Sequence, residues 1–156
     1  MSDVPIEEQV EAATDFMRGL VDAFGLRGEV QGSSDDDDHL RVEVEGEDLG
    51  VLIGRNGATL EAIRELIKTA LQRQTEGQNA RVIVDVAGYG ARRREALQAF
   101  ARQVAERAME TGRAQALEPM SPPDRKVVHD AVNELDGVTT VSEGEEPRRR
   151  VVIQPS

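Results

Sequence analysis

The spacing of hydrophobic residues divides the chain into four helical segments and five short strands. Apolar side chains at three- and four-residue steps predict helices over residues 5–24, 58–74 and 91–111, and from Ser121 up to Gly137. Alternating or continuous apolar runs predict strands over residues 26–31, 40–44, 82–86, 138–142 and 148–153. We expect the first two strands to form a hairpin, and likewise the last two.

Each predicted helix has one apolar face that we expect to be buried. Four of the large side chains assigned to these faces are Phe16, Phe24, Leu66 and Phe100. Ser121 stands where its hydroxyl can cap the first turn of the fourth helix. The elements before residue 87 follow the order helix, strand, strand, short helix, helix, strand, and the rest form a second unit. The pattern therefore predicts an α+β chain.

A glycine-flanked tetrapeptide, Gly54-Arg55-Asn56-Gly57, lies between the predicted short helix and the next long helix. The N-terminus of a helix offers unpaired N–H groups and a partial positive charge, which suit a phosphate. The two glycines would let a nucleic-acid backbone approach closely because they have no Cβ. Arg55 would add a mobile charge, Asn56 would add a polar donor, and Ile53 would help to line a groove for unstacked bases.

Two other kinds of phosphate-binding loop are excluded by the residues around this tetrapeptide. Gly57 is followed by Ala58 and Thr59, without the lysine that a nucleotide-triphosphate loop requires. A dinucleotide-binding loop follows a buried strand inside a βαβ unit, and the order of elements here is different. On the evidence of the tetrapeptide alone, a glycine-capped turn that only packs remains the alternative.

Together with the order of elements, the string from Gly50 to Gly57 resembles the KH domain of the type II, bacterial topology (α-β-β-α-α-β). We interpret residues 1–87 as this domain. The resemblance implies that the loop clamps the backbone of a single-stranded nucleic acid. The four residues of the tetrapeptide would then bind RNA, with Ile53 as a further candidate. A backbone grip also suits a chain with only 3% aromatic residues.

The second unit contains Arg125 and His129, four positions apart on a predicted helix. This separation puts both side chains on one helix face, beside the apolar stripe. A guanidinium and an imidazole would suit phosphate and a hydrogen-bond acceptor, while a solvated pair is the alternative. The spacing resembles the R-three-H domain. We interpret residues 88–156 as such a domain, small and α/β, in which Arg125 and His129 bind single-stranded nucleic acid.

The tandem of domains resembles the Jag (SpoIIIJ-associated) family of bacterial RNA-binding proteins. Gly88-Tyr89 followed by arginines, the start Ser121-Pro122-Pro123 and the basic C-terminal ending fit that family. Many members carry a further N-terminal domain, and we expect this chain to be a short form without it. The resemblance implies a non-catalytic post-transcriptional regulator or RNA chaperone linked to the cell envelope or to cell elongation. It implies single-stranded RNA as ligand, single-stranded DNA as a second ligand class, and a second small KH protein as a partner.

Basic residues of the second unit supply further candidates. Arg92 opens a helix in which three consecutive arginines point in different directions, so that only one or two can face a ligand. We take Arg92 as RNA-binding, with a solvated face as the alternative. Further candidates are Tyr89, Arg93, Arg102, Lys126 and Arg149. Tyr89 would either stack on a base or contact the other domain, and the C-terminal arginines would either bind RNA or pair with Glu145 and Glu146.

The net charge of −11 is unusual for a nucleic-acid binder, but the charge is unevenly distributed. Residues 1–50 contain 15 acidic residues against three arginines, and residues 51–156 contain 15 acidic against 16 basic residues. The run Asp35–Asp38 is expected to be a solvated loop tip. A divalent-cation site is the alternative, although consecutive carboxylates without glycine lack the spacing of a calcium loop.

Several classes of function are not expected from this sequence. There is no cysteine, and the two histidines are isolated, so we expect no disulfide and no metal site. No apolar run approaches the ~20 residues of a membrane span, and the N-terminus lacks the features of a signal peptide. We therefore expect a cytoplasmic protein. Because no nucleophile–base pair is recognisable, we also expect no catalytic residues and no cofactors.

The acidic N-terminal third also suggests an alternative function. In this interpretation the glycine loop is only a turn, and the acidic surface binds a protein partner. The chain would then be an adaptor, a role that can coexist with RNA binding.

Overall fold

In a computed structural model, which describes residues 4–156, the chain divides into two compact units between Gly90 and Ala91. Each unit has its own sheet and its own hydrophobic core. The α+β class is confirmed. Within the described residues, no helix combines the length and hydrophobicity needed to cross a membrane.

The first unit follows the α-β-β-α-α-β order expected from the sequence. Its regular elements are α1 (Ile6–Ala23), β1 (Gly28–Ser34), β2 (Leu40–Gly46), α2 (Ala58–Thr75) and β3 (Val82–Val86). The predicted short helix is a single 3-10 turn at Gly50–Leu52, and a second 3-10 turn at Arg55–Gly57 leads directly into α2. The glycine tetrapeptide therefore connects one helical turn to the next.

The three strands form a sheet in the order β1-β2-β3, with β1 antiparallel and β3 parallel to β2. The parallel pairing requires a crossover, which α2 supplies. Alternate residues of the strands are buried with α1 and α2 in one core. Its fully buried side chains include Met17, Leu40, Val42, Val44, Leu52, Ile67, Leu71 and Val86. Burying each large aliphatic side chain contributes about 1.5–3 kcal/mol, so this core holds the loop-bearing end of α2 in place.

The second unit contains most of one long helix, a shorter helix and a small sheet. Its elements are α3 (Tyr89–Thr111), whose first two residues belong to the first unit, β4 (Gln115–Ala116), α4 (Pro122–Asn133), β5 (Val138–Glu143) and β6 (Arg150–Pro155). The strands are antiparallel in the order β4-β6-β5. Ser121 caps α4 as predicted, accepting a hydrogen bond from the backbone N–H of Asp124 at 3.4 Å.

The core of the second unit combines residues of α3 and α4 with Val138 of β5 and with Val151 and Ile153 of β6. Its fully buried members are Ala101, Ala105, Ala108, Val128, Val132, Val151 and Ile153. Both predicted hairpins are present, β1 with β2 and β5 with β6.

Several predicted details of this fold are wrong. Phe16, Phe24, Leu66 and Phe100 are exposed by 36%, 52%, 54% and 47%. Each lies at the margin of an apolar stripe, and helical periodicity alone does not give the width of the buried face. β1 runs three residues further than expected, because Gly32 to Ser34 pair with β2. β4 was not predicted, because a strand of two residues is too short to show alternation.

Candidate nucleic-acid interface

The tetrapeptide Gly54–Gly57, here called the GxxG loop, is held at both ends by backbone hydrogen bonds. The N–H of Gly54 donates to Gly50 O at 3.0 Å, and the N–H groups of Thr59 and Leu60 both donate to Ile53 O at 3.0 Å. Gly57 N–H donates to Gly54 O at 3.3 Å. The loop is therefore a closed turn whose conformation is fixed before any ligand is present.

Three of the four loop residues have a positive φ. Gly54, Asn56 and Gly57 have φ values of 73°, 53° and 78°. Glycine adopts positive φ without a steric cost, and asparagine tolerates it better than most other residues. The sequence pattern of glycine, any residue, asparagine and glycine is therefore the one this backbone requires.

The two glycines are also required because side chains lie against them. A Cβ added to Gly54 would lie 2.2 Å from Thr59 Oγ1, and a Cβ added to Gly57 would lie 2.8 Å from Tyr89 Cε1. Such distances are far shorter than any carbon contact, so neither glycine can be replaced without movement of its neighbour. Tyr89, a candidate ligand in the sequence analysis, is half-buried and packs against the core of the first unit.

Donor groups converge at the tip of the loop. The side chains of Arg55 and Asn56 are exposed. Among residues 4–156, neither of these two residues has a hydrogen-bond acceptor for its backbone N–H. The first N–H groups of α2, in contrast, are already bonded, since Ala58 N–H donates to Arg55 O. The free donors predicted at the helix N-terminus thus lie one step earlier, on the loop itself.

Next to the tip, exposed apolar surface adjoins the donors. Val51 is 51% exposed and Ile53 is half-buried, whereas Leu52 between them lies in the core. The carboxylate of Glu61 in the first turn of α2 would repel a phosphate. Arg64 partly neutralises it through an ion pair with Glu61 at 2.7 Å, and Arg64 also pairs with Glu65 at 2.6 Å. The hydrogen bond from Arg64 to Glu61 raises the pKa of this guanidinium further.

In the second unit, Arg125 is already engaged by other groups of the protein. It is only 8% exposed, and its Nη1 donates to Met120 O at 2.6 Å. Its Nη2 forms an ion pair with Glu146 Oε1 in the turn between β5 and β6. The prediction that Arg125 lies beside the buried stripe of α4 is wrong, because the residue is among the buried residues of that helix.

His129 is held by two hydroxyl groups of β5. Its Nδ1 lies 2.6 Å from Thr140 Oγ1, and its Nε2 lies 2.7 Å from Ser142 Oγ. Burial lowers the pKa of His129, and the positive charges of Arg125 and Arg149 lower it further, while Asp130 acts in the opposite direction. The imidazole is therefore favoured in its neutral form, with one ring nitrogen as donor and one as acceptor.

Most of the other basic candidates have partners within the second unit. Arg93 lies 3.3 Å from Asp124, Arg102 lies 3.7 Å from Glu134, and Lys126 lies 2.8 Å from Asp130. Arg149 donates to Gly144 O at 2.7 Å. Arg92 is exposed in the first turn of α3. The alternative considered for the C-terminal arginines, pairing with Glu145, is not seen among the described residues, and Arg150 instead pairs across the hairpin with Glu143.

Family models match both units. The model described as "KhpA/KhpB, KH domain" matches residues 10–86, and the model of the R-three-H domain matches residues 95–155. The GxxG loop lies in the first match, and the Arg125/His129 pair lies in the second. The chain belongs to the Jag family.

Relatives of this Jag-family chain include proteins named "RNA-binding protein KhpB". The relative from Clostridium symbiosum is 31% identical over 144 residues, which cover 92% of this chain and 64% of that protein. The Bacillus subtilis relative is 35% identical and covers 73% and 55%. The one from Streptococcus pneumoniae (strain R6) is 34% identical and covers 73% and 34%. This chain thus spans between about one third and two thirds of these three relatives' lengths.

The partners of the candidate residues in this Jag-family chain were not predicted from its sequence. Thr140 and Ser142 lie two residues apart on β5 and hence on one face, so alternation could have indicated a joint role. Glu146 and Thr59 gave no comparable signal, because each becomes a neighbour of the site only through the folding of the chain.

The acidic run of this Jag-family chain lies in the turn between β1 and β2. Asp35 Oδ1 accepts hydrogen bonds from the backbone N–H groups of Asp37 at 3.0 Å and His39 at 2.9 Å. The bond from His39 is the main reason that the pKa of Asp35 is lowered. Carboxylate and imidazole groups of Asp35, Asp37 and His39 come within 4.8 Å of one another. Turn stabilisation accounts for this cluster.

Proposed function

We propose that this chain is a non-catalytic cytoplasmic protein that binds single-stranded RNA, with the GxxG loop as its main contact. The loop would grip the phosphate backbone, and the apolar surface at Val51 and Ile53 would accept bases. Single-stranded DNA would bind more weakly or equally well, depending on whether the 2′-hydroxyl is contacted.

One observation carries this proposal, namely the donors at the tip of the loop. Two consecutive backbone N–H groups, at Arg55 and Asn56, are free of partners within residues 4–156, and both side chains are exposed. Because hydrogen bonds hold the loop at both ends, binding would cost little conformational entropy. Adjacent N–H groups beside a guanidinium are a suitable cradle for a phosphate.

The relatives support the same ligand class. Several of them are named RNA-binding proteins, and the match to the C. symbiosum protein extends over 92% of this chain. The described residues that we propose as RNA contacts are Gly54, Arg55, Asn56, Gly57, Arg92, Arg125 and His129, with Ile53, Arg93, Arg102, Lys126 and Arg149 as further contacts.

The first test replaces the side chains at the tip of the loop. We expect Arg55→Asp combined with Asn56→Asp to abolish most binding to a fluorescein-labelled oligouridylate in an anisotropy titration. A matched control is Gln72→Asp combined with Arg73→Asp, which makes the same change of charge on exposed residues at the other end of α2. Equal losses in both variants, or no loss in the first, would contradict the loop assignment.

Salt dependence provides a second test. If the loop and the basic residues contact phosphates, the logarithm of the association constant should fall linearly with the logarithm of salt concentration. The slope should be about −0.7 per phosphate contacted on a single strand. A flat response between about 50 and 200 mM salt would contradict a phosphate grip.

At the second proposed contact surface, formed by Arg125 and His129, a phosphate would have to replace the carboxylate that Arg125 now binds. Glu146→Gln removes this competitor, and we expect it to strengthen binding to oligouridylate. Glu145→Gln is the matched control, because it changes an adjacent exposed residue for which no ion pair is found within the described part of the chain. If Glu146→Gln behaves like Glu145→Gln, Arg125 does not bind phosphate.

The biological role that we propose is that of a post-transcriptional regulator or RNA chaperone, connected to the cell envelope or to cell elongation. Two linked surfaces on one strand would bind more tightly than either alone, since the second contact becomes intramolecular. Crosslinking in cells followed by sequencing of the bound RNA tests this role. If the wild-type protein recovers no more RNA than the Arg55→Asp, Asn56→Asp loop variant, this role is contradicted.

An adaptor is the second candidate function, supported by the surface of α1. This helix exposes Glu7, Glu8, Glu11, Asp15 and Asp22, together with 36% of Phe16. A protein partner, such as a second small KH protein, would suit a surface that combines acid and apolar groups. A pull-down of that partner that survives ribonuclease would favour the adaptor, and its loss would favour association through RNA.

A further inference from the structure

We propose that Tyr89 is a positioning residue of the GxxG loop, which it holds through ring contact with Gly57. The proposal rests on the function proposed above. In the sequence analysis Tyr89 is a candidate for stacking on a base or for a contact between domains. The geometry points to a third role, in which the ring acts on RNA only through the loop.

The contact is close and leaves no space for a side chain at position 57. A Cβ on Gly57 would lie 2.8 Å from Tyr89 Cε1 and 3.3 Å from its hydroxyl oxygen. The ring therefore lies directly against the backbone of the last loop residue. Any shift of Gly57 toward the ring is blocked.

Tyr89 is itself held firmly, so it can serve as a fixed support. The turn that carries it is tied to the sheet, because Ala87 N–H donates to Val44 O at 2.8 Å. Asp85 Oδ1 accepts a hydrogen bond from Gly90 N–H at 3.0 Å on the other side of the tyrosine. The side chain also packs against the core of the first unit.

The opposite end of the loop has an equivalent support. Thr59 lies so close to Gly54 that a Cβ there would be 2.2 Å from Thr59 Oγ1. The loop is thus bounded by one side chain at each end, and the donors of Arg55 and Asn56 lie between them. Removing one support would let the free N–H groups sample more conformations, and binding would then have to restore the order.

Three substitutions separate a positioning role from base stacking. Tyr89→Phe keeps the ring and should leave binding to a labelled oligouridylate unchanged. Tyr89→Ala removes the support and should weaken binding by roughly tenfold, the order expected when one backbone residue loses its fixed conformation. Tyr89→Leu keeps apolar bulk without a π-face, and we expect most of the affinity to remain. A leucine variant as weak as the alanine variant would indicate stacking and would overturn the proposal.

A double-mutant cycle tests the contact directly. Gly57→Ala introduces a clash with the ring and a strained positive φ. In a Tyr89→Ala background the clash is gone and only the strain remains, so the loss of affinity caused by Gly57→Ala should be smaller. Additive effects of the two substitutions would contradict a contact that positions the loop.

Amide hydrogen exchange without RNA separates failure of this proposal from failure of the proposed function. Tyr89→Ala should speed exchange at Gly57 and Thr59, while Tyr89→Phe should not, and thermal unfolding checks that both variants remain folded. Unchanged exchange in a folded Tyr89→Ala protein would overturn the positioning role even if RNA binds. Because the exchange comparison needs no ligand, a wild-type protein that fails to bind oligouridylate would overturn the proposed function whatever the exchange rates are.

Discussion

At the tip of the GxxG loop, residue types are used for their backbone conformations as much as for their side chains. Gly54 and Gly57 adopt positive φ where a neighbouring side chain excludes a Cβ. Asn56 adopts the same region and exposes its amide. The sequence indicated a phosphate-binding turn here, and the structure adds that the free N–H groups belong to the loop and not to the first turn of α2.

For Arg125 and His129, the sequence predicted their separation along the helix but not the groups that they contact. Their separation by one helical turn is a local property of α4. Their partners, Glu146 for Arg125 and the hydroxyls of Thr140 and Ser142 for His129, come from the hairpin. A bound guanidinium and a bound imidazole stabilise the second unit whether or not they also contact RNA.

The buried guanidinium gives a prediction about stability. Arg125→Met should lower the free energy of unfolding of the second unit by about 1–3 kcal/mol, because it removes hydrogen bonds to Met120 O and Glu146. Lys126→Met is the control, since it removes an equal charge from a side chain that is 77% exposed. Denaturant unfolding followed by circular dichroism makes the comparison, and equal midpoints for the two variants would contradict the structural role of Arg125.

His129 gives a prediction about pH. Because its pKa is lowered in the folded protein, the unfolded chain binds more protons in the window just below the ordinary histidine pKa of about 6.5. The free energy of unfolding should therefore rise with pH through this window, and acidification should reduce it. His129→Gln, which keeps a donor and an acceptor, should remove this dependence.

The measurement is a set of unfolding curves between about pH 5 and 8 for wild type and His129→Gln. Nuclear magnetic resonance titration gives the pKa of His129 directly, because the signals of only two histidines, His39 and His129, have to be distinguished. A folded-state pKa of His129 at or above that of an unstructured peptide would contradict the expected sign.

At the scale of elements, the hydrophobic periodicity predicted every long helix and every strand of more than two residues. Such predictions work because helical and strand periods are local and repeat many times within an element. They fail at the margins of the buried faces, as for Leu66 and Phe100, where the neighbouring element decides what is covered. The end of β1 was also missed, because pairing with β2 extends a glycine- and serine-rich segment that has no strand pattern of its own.

The start of α4 gives a prediction at this scale. Ser121→Ala removes the hydroxyl that accepts from the N–H of Asp124, and helix capping of this kind is worth about 1 kcal/mol. Ser121→Asp should retain most of the stability, because aspartate is also a good capping residue. Denaturant midpoints of the two variants check this, and an alanine variant as stable as wild type would show that the cap contributes nothing.

For the whole molecule, the distribution of charge matters more than its total of −11. The acidic turn at Asp35–Asp38 and the GxxG loop lie at opposite ends of β2, which rises about 3.3 Å per residue over seven residues, or about 20 Å. This exceeds the Debye length of about 8 Å at 0.15 M salt, although not the length of about 30 Å at 0.01 M.

Neutralising the acidic turn therefore gives a salt-dependent prediction. Replacement of three acidic residues by asparagine, at Asp36, Asp37 and Asp38, should strengthen RNA binding at about 0.01 M salt. The same replacement should leave RNA binding unchanged at about 0.15 M salt. Glu47→Gln with Asp48→Asn, close to the loop in sequence, should still strengthen binding at the higher salt concentration. Anisotropy titrations at both concentrations test this, and equal effects of the two sets at high salt would contradict it.

Periodicity and residue type alone predicted the order of elements, the glycine loop between two helical turns, and the concentration of acid in the first fifty residues. These features depend on local periodicity and on backbone conformations that few residue types adopt. Only the folded chain shows which donors remain free and which are already bound. Tyr89 against Gly57 and Glu146 against Arg125 are pairs distant in the chain, and each pair is brought together only by the folding of its own unit.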